Sequence, residues 1–230
     1  MPFVNLTCVK TQKFKTGCLS VNLLTKLDKN TASKNALLPR VLRRGTASHP
    51  DIESLAAALD ELYGARIEPI VRKRGEVQSF GFYADFADDD FVPKGENLLE
   101  RTADLMGEIL LAPKTYNGRL LSEYVDSERT NLIDDIRSDI NDKRQYALTR
   151  LIENMCSKEA YGTSRYGTEA TAKKLTAAGL TKHYQDVLAT SAVEIVYCGS
   201  ADEKRVELAM KHALAGLPRG EIARDIGTDI

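Results

Sequence analysis

ARIEPIVRKRGEVQSFGFYADF, residues 65–86, decides the fold class. Residues 65–73 read as a strand, Arg74, Gly75 and Glu76 as a turn, and residues 77–86 as a second strand with Phe80, Phe82 and Ala84 on one face. Alternation at every second position marks a strand with one buried side. A short turn between two such strands makes an antiparallel hairpin. Two further segments share the pattern: residues 14–25, with Leu19, Val21 and Leu23 alternating, and residues 192–197 before Cys198, Gly199 and Ser200.

The rest of the chain has helical periodicity. Ala36, Leu37, Leu38, Val41 and Leu42 define a first helix, with Thr31 or Ser33 as its cap, Pro39 bending it and Gly45-Thr46 ending it. His49, Pro50 and Asp51 start a second, with Ile52, Leu55, Ala56, Leu59 and Leu62 in register until Tyr63-Gly64. Further helices are expected over residues 95–112, 117–142, 144–156 and 180–188, with a short one after Thr168 and a last one from Asp202. In the long helix Leu121, Tyr124, Val125, Leu132, Ile133, Ile136 and Ile140 mark the buried side; Asp88, Asp89 and Asp90 read as a solvated turn. Strands, then many helices, then a strand and a helix give an α+β domain of two layers, a mostly antiparallel sheet covered by helices. Residues 1–220 form one such domain, and residues 221–230 read as a linker or the start of a second domain.

Composition narrows the function. The chain has 230 residues, 32 Lys and Arg against 33 Asp and Glu, and a formal net charge of -1. That balance argues against a nucleic-acid binder. No apolar run approaches the roughly 20 residues that span a bilayer, and the N-terminus has no apolar core of a secretory signal. Four cysteines, Cys8, Cys18, Cys156 and Cys198, form no C-x-x-C pair. They read as free thiols of a reducing cytoplasm.

The element order resembles the N-terminal domain of the M16, or insulinase-like, zinc peptidases. Four stretches carry the likeness: LLPRVLRRGT (37–46), IESLAAALDELYGARIEP (52–69), SERTNLIDDI (127–136), and YGTEATAKKLTAAGLTKHYQDVL (166–188) followed by VEIVYCGSAD. They span residues 15–218 in the family's order. The likeness is nearest a non-catalytic bacterial subgroup described as elongation-factor-P 5-aminopentanol modification-associated proteins (YfmF-like). Active members of the family carry H-x-x-E-H on a helix, with two zinc-binding histidines, a glutamate as general base and a later acid as third ligand. Residues four apart share a helical face, three ligands leave one zinc position for water, and the metal acidifies that water.

Anchored on Gly45-Thr46, the resemblance puts the first histidine position at Ala36, the glutamate at Pro39 and the second histidine at Arg40. The distal ligand falls on Asp135, next to Asp134, and Glu128 resembles a further family acid. Alanine has no donor atom, proline accepts no proton, and arginine is a permanent cation. No cofactor is expected. Arg40 facing Asp134 or Asp135 would clamp two helices where a metal once did. The family binds peptides by strand addition at a sheet edge; here Arg66, Ile67, Glu68 and Arg72 lie on the matching strand, and basic Arg72, Lys73 and Arg74 favour acidic peptides.

The reading is a non-catalytic M16 homologue that pairs with an active zinc-bearing M16 partner, or with itself, and helps to hold a peptide, with no nucleic-acid or membrane partner. Two alternatives stand beside it. One is a scaffold without peptide binding. The other is a hydrolase built on other residues, with Cys156 or Cys198 as nucleophile, although Cys198 reads as core. His49, His183 and His212 are too widely spaced for a ligand pair and are expected at the surface or at caps.

Overall fold

The computed structural model describes residues 2–221. Its main sheet has five strands in the order β1-β7-β2-β4-β3. They are β1 (Val4–Lys10), β2 (Thr16–Lys26), β3 (Arg66–Arg74), β4 (Val77–Ala87) and β7 (Ala192–Gly199). β1 runs parallel to β7, and the other neighbours are antiparallel. The alternation that marked the strands is what the sheet uses: Leu19, Val21, Leu23, Phe80, Phe82 and Ala84 are buried on one face. Helices α1 (Ala32–Leu42), α2 (Ile52–Asp60) and α3 (Leu98–Leu111) contribute Leu37, Leu55, Leu98 and Ile109 to the same core. The other face carries Cys18, Ser20, Asn22, Tyr83 and Glu194, all half-buried or exposed. The fold is the expected α+β arrangement of two layers.

The remaining elements are the hairpin β5 (Thr115–Tyr116) and β6 (Arg119–Leu120), α4 (Ser122–Ser138), α5 (Lys143–Met155), α6 (Glu169–Ala172), α7 (Ala177–Thr190) and α8 (Glu203–Ala213). The linker expected at residues 221–230 lies, from residue 222 onward, outside the described residues.

Several expectations are corrected. β1 was not foreseen, although Val4, Leu6 and Cys8 alternate with polar residues as a strand requires. The helix expected over residues 117–142 starts only at Ser122. Asn117 (φ 50°) and Gly118 (φ 72°) make the turn of the β5–β6 hairpin instead. Asn-Gly is the preferred pair where both central residues need positive φ. Ile140, expected on the buried side of that helix, is exposed, because the helix stops at Ser138 and a 3-10 turn carries residue 140 away.

Nor is the acidic tract solvated as a whole. Asp88 is buried and accepts the N–H of Asp90. Asp89 accepts the N–H of Leu98 at the start of α3 and pairs with Arg205, which also takes Glu100 bidentately. The tract ties α3 to α8.

α7 begins where Thr176 Oγ1 accepts the N–H of Gly179 at 3.2 Å. Thr176→Ala is expected to lower stability by about 1 kcal/mol, the usual cost of a lost side-chain cap. Urea unfolding checks it: an unchanged midpoint would mean that water caps this helix equally well.

Candidate functional site

α1 and α4 meet along a short ladder of charges. Arg40 Nη1 lies 2.7 Å from Asp135 Oδ2, and Arg44 Nη1 lies 3.1 Å from Glu128 Oε1. The arginines are four residues apart and the acids seven, one and two helical turns, so each set lines one face of its chain. Each guanidinium also stands over a ring, Arg40 over Tyr166 at 5.6 Å and Arg44 over Tyr124 at 5.3 Å from the centroid. Asn131 Nδ2 donates to the second oxygen of Glu128. Asp134, the other candidate for Arg40, lies instead 3.7 Å from Arg137.

Arg40, Arg44, Glu128 and Asp135 line an open groove with Arg43 and Glu68 of the neighbouring edge. Ala36 and Pro39 do not reach it. Both are buried, Ala36 completely, because α1 presses that flank into the core. Of the edge residues singled out, Arg66, Glu68 and Arg72 are exposed, while the Ile67 side chain is fully buried. Ile67 therefore offers a ligand only its backbone.

A polar network that the sequence did not announce joins α1, β2, β4 and α7. Asn35 Nδ2 donates to Thr25 Oγ1 and Gln78 Oε1, and Asn35 Oδ1 faces His183 Nε2 at 2.6 Å. With both amide hydrogens spent, Oδ1 must accept, so His183 carries a proton on Nε2. Burial is the main cause that pulls its pKa down from 6.5 to about 4, with Lys34 adding and Asp186 opposing. His183 is therefore a buried core residue, which corrects the surface position expected for it. A polar residue within a helical apolar pattern gives no sign of which partner waits across the core.

The network continues to the loop after α5. Gln78 Nε2 donates to the carbonyls of Ala32 and Arg165, and Ser33 Oγ to that of Tyr166. Gly167 (φ 69°) passes so close that a Cβ there would lie 2.0 Å from Ser33 Oγ. These bonds set Tyr166 against Arg40.

The other histidines are scattered, as expected from their spacing. His49 is half-buried near Thr46 and Glu108, and His212 is exposed beside Asp104. Cys198 is not core: it sits half-buried on the open face of the sheet, in register with Cys18. Burial pushes the thiols of Cys8 and Cys18 up, away from the thiolate form. No cysteine–histidine hydrogen bond is found among the described residues.

A zinc ion does not fit the ladder. Its two acids are already neutralised by arginines, and the cation at Arg40 would repel a metal. Among the described residues no three His, Cys, Asp or Glu side chains are grouped to hold one.

No family model matches the chain. It is 33% identical over 202 residues to the "Probable inactive metalloprotease YmfF" of Bacillus subtilis (strain 168), a stretch covering 88% of this chain and 47% of that protein. A conserved protein from Enterococcus faecalis V583 superposes with a TM-score of 0.88 at 30% identity, over 97% of this chain and 52% of that one. A peptidase M16 inactive domain from Pseudomonas fluorescens superposes with a TM-score of 0.71 at 13% identity, over 96% of this chain and 50% of that one, and so shares the fold. The chain shares the fold of M16 peptidase domains. It spans about half the length of the relatives it matches. The positions that the resemblance assigns to a zinc motif hold Ala36, Pro39 and Arg40, none of which has a metal-ligating side chain, and the name of the Bacillus relative calls that protein inactive.

Proposed function

We propose that this chain is an M16 domain and the non-catalytic half of a peptidase pair, binding a zinc-bearing M16 partner and lining the chamber beside an extended peptide. The observation that carries the reading is the Arg40–Asp135 pair. A guanidinium stands at a motif position and is held by the acid at the distal-ligand position. On this reading the ion pair keeps the α1–α4 junction closed without a metal. The fold is then retained for its shape and its surfaces rather than for bond cleavage. The exposed edge of β3 beside the groove supports the peptide part of the reading.

The same proposal treats residues 1–220 as one domain and places the chain in the elongation-factor-P modification-associated subgroup, on the four stretches quoted above. It assigns a cytoplasmic setting, which suits four unpaired thiols.

The test is co-expression with an M16 protein carrying an intact H-x-x-E-H, followed by light scattering and metal analysis of the purified species. The expected result is a heterodimer whose zinc belongs to the partner, and no zinc in this chain alone. Stoichiometric zinc on this chain alone would overturn the reading. Self-association with no heterodimer would favour a scaffold.

A further inference from the structure

Cys18 and Cys198 stand opposite each other on the open face of the sheet, both half-buried. They are the last in-register pair of antiparallel β2 and β7. Residues directly opposite in such a pair put their side chains on the same face. The other side of β7 shows which kind of pair they form. Val193 donates its N–H to the Phe3 carbonyl, and the Gly199 carbonyl accepts the N–H of Thr11, both on the side of β1. Alternate residues of a strand send their backbone groups to opposite sides, so Cys198 faces β2. Cys18 and Cys198 are therefore a hydrogen-bonded pair, with about 5.5 Å between Cα atoms. Disulfides span Cα separations of about 4.4–6.8 Å.

Two further features bring the sulfurs together. The Cys18 thiol interacts with the backbone of Cys198 as well as with the Tyr83 hydroxyl. Each cysteine also has a glycine beside it, and a Cβ on Gly199 would lie 3.2 Å from Gly17 Cα, so β2 and β7 run close at this end. Opposite Cβ atoms stand about 4.5–5.5 Å apart, and a disulfide needs about 3.5–4.5 Å. That difference of about 1 Å can close because the β2–β7 ladder ends at this pair.

We propose that Cys18 and Cys198 form an oxidation site, at which peroxide makes a reversible disulfide that staples β2 to β7. One thiolate attacks a peroxide oxygen and breaks the O–O bond. It becomes a sulfenic acid, and the departing hydroxide is protonated to water. The second thiolate displaces the sulfenic hydroxyl, which leaves as a second water, and the S–S bond forms. Two thiols lose two electrons and two protons in all, and one hydrogen peroxide becomes two waters. A thiol reductant reverses the link by exchange. Burial pushes the Cys18 thiol up, so the reaction is faster in mild alkali than at neutral pH.

The other two cysteines are not placed to compete. Cys8 packs against the core, on the opposite face, in register with Tyr197. Cys156 ends α5 and interacts with Lys73. Lys73 pairs with Gln78, whereas Cys18 pairs with Asp85, so about 23 Å of β4 lies between the two positions. This inference is independent of the proposed peptidase pairing.

The test treats the reduced 230-residue chain with hydrogen peroxide at pH 8, blocks free thiols with iodoacetamide and digests with trypsin without reductant. Each cysteine falls in its own tryptic peptide, residues 1–10, 16–26, 151–158 and 183–204. The expected product is 16–26 joined to 183–204 within one chain, released by dithiothreitol. Cys8→Ser/Cys156→Ser should form the link as fast as the original chain, and Cys18→Ser should form none. Oxidation should raise the urea midpoint by about 1 M, because the bond closes a long loop between residues 18 and 198. Cys18→Ser should show no such rise. Recovery of 16–26 and 183–204 unlinked, with free or over-oxidised sulfurs, would overturn the proposal, and so would a link found only between two chains. An unshifted midpoint in the linked chain would overturn the staple.

Discussion

Acidification from pH 7 to pH 4 is expected to remove about 3 kcal/mol of folding stability through His183 alone. The imidazole is buried against Asn35 and held neutral, with a pKa near 4 in the fold against 6.5 in the unfolded chain. Between those values the unfolded chain binds the proton and the folded protein does not, so stability falls as pH drops through that window. Above pH 6.5 both states are neutral and nothing is lost; below pH 4 both are charged and the loss is complete. Protonation would also give Asn35 Oδ1 a cation that the buried site cannot hydrate. His183→Gln keeps a donor toward Asn35 and removes the titration. Its urea-unfolding free energy should be lower at pH 7 and should fall by about 3 kcal/mol less than that of the original chain between pH 7 and pH 4, the remaining fall being that of the carboxylates. Asn35→Asp should also flatten the acid loss, because a carboxylate 2.6 Å from Nε2 favours the imidazolium. Parallel pH profiles for the original chain and His183→Gln would show that His183 is not held neutral.

The parts legible in the sequence are those in which one residue's environment follows from its neighbours along the chain. Phe80, Phe82 and Ala84 alternate, so their common face was readable without knowing what covers it. The helix starts at Asp51 and Thr168 were readable because the capping oxygen and the N–H it accepts are three residues apart. The Asn117-Gly118 turn is of the same local kind, but its hairpin signal competes with the helical period that follows it. Asn35, Gln78 and His183 are of another kind. Each is a polar residue whose burial is tolerable only because of partners 43 to 148 residues away, and no local pattern encodes such a meeting. The candidate site divides in the same way. The assignment of Ala36, Pro39 and Arg40 to zinc-motif positions comes from the resemblance, and the structure adds only that Arg40 meets Asp135. The hydrogen bond from Arg43 Nε to the Ile67 carbonyl depends on where α1 ends relative to the sheet edge, which only the packed structure shows.

Reversing the charge at position 40 is expected to cost about 2 kcal/mol, and reversing its partner as well should return about half of it. Three effects add in Arg40→Glu. The ion pair with Asp135 is lost, and because the Asp135 side chain is 52% exposed water screens it to about 0.5–1 kcal/mol. The stacking of the guanidinium on Tyr166 is lost, at about 0.5 kcal/mol. The new carboxylate then faces Asp135, with Glu128 and Asp134 lining the same groove, a like-charge penalty of similar size. Arg40→Met keeps the apolar stem and adds no charge, so it should cost about 1 kcal/mol. In Arg40→Glu/Asp135→Arg the pair is rebuilt in reverse, while Tyr166 stays without its cation. Urea unfolding of the original chain, Arg40→Glu, Asp135→Arg and the double variant gives the coupling energy directly. A double variant no more stable than Arg40→Glu would mean that the two helices are held by packing alone, through buried residues such as Leu37, Val125 and Leu132. The ion pair would then be an incidental neighbour of the groove, and the proposal that it stands in for the metal would lose its support. A recovery of about 1 kcal/mol would show that the charges joining α1 to α4 are energetically coupled.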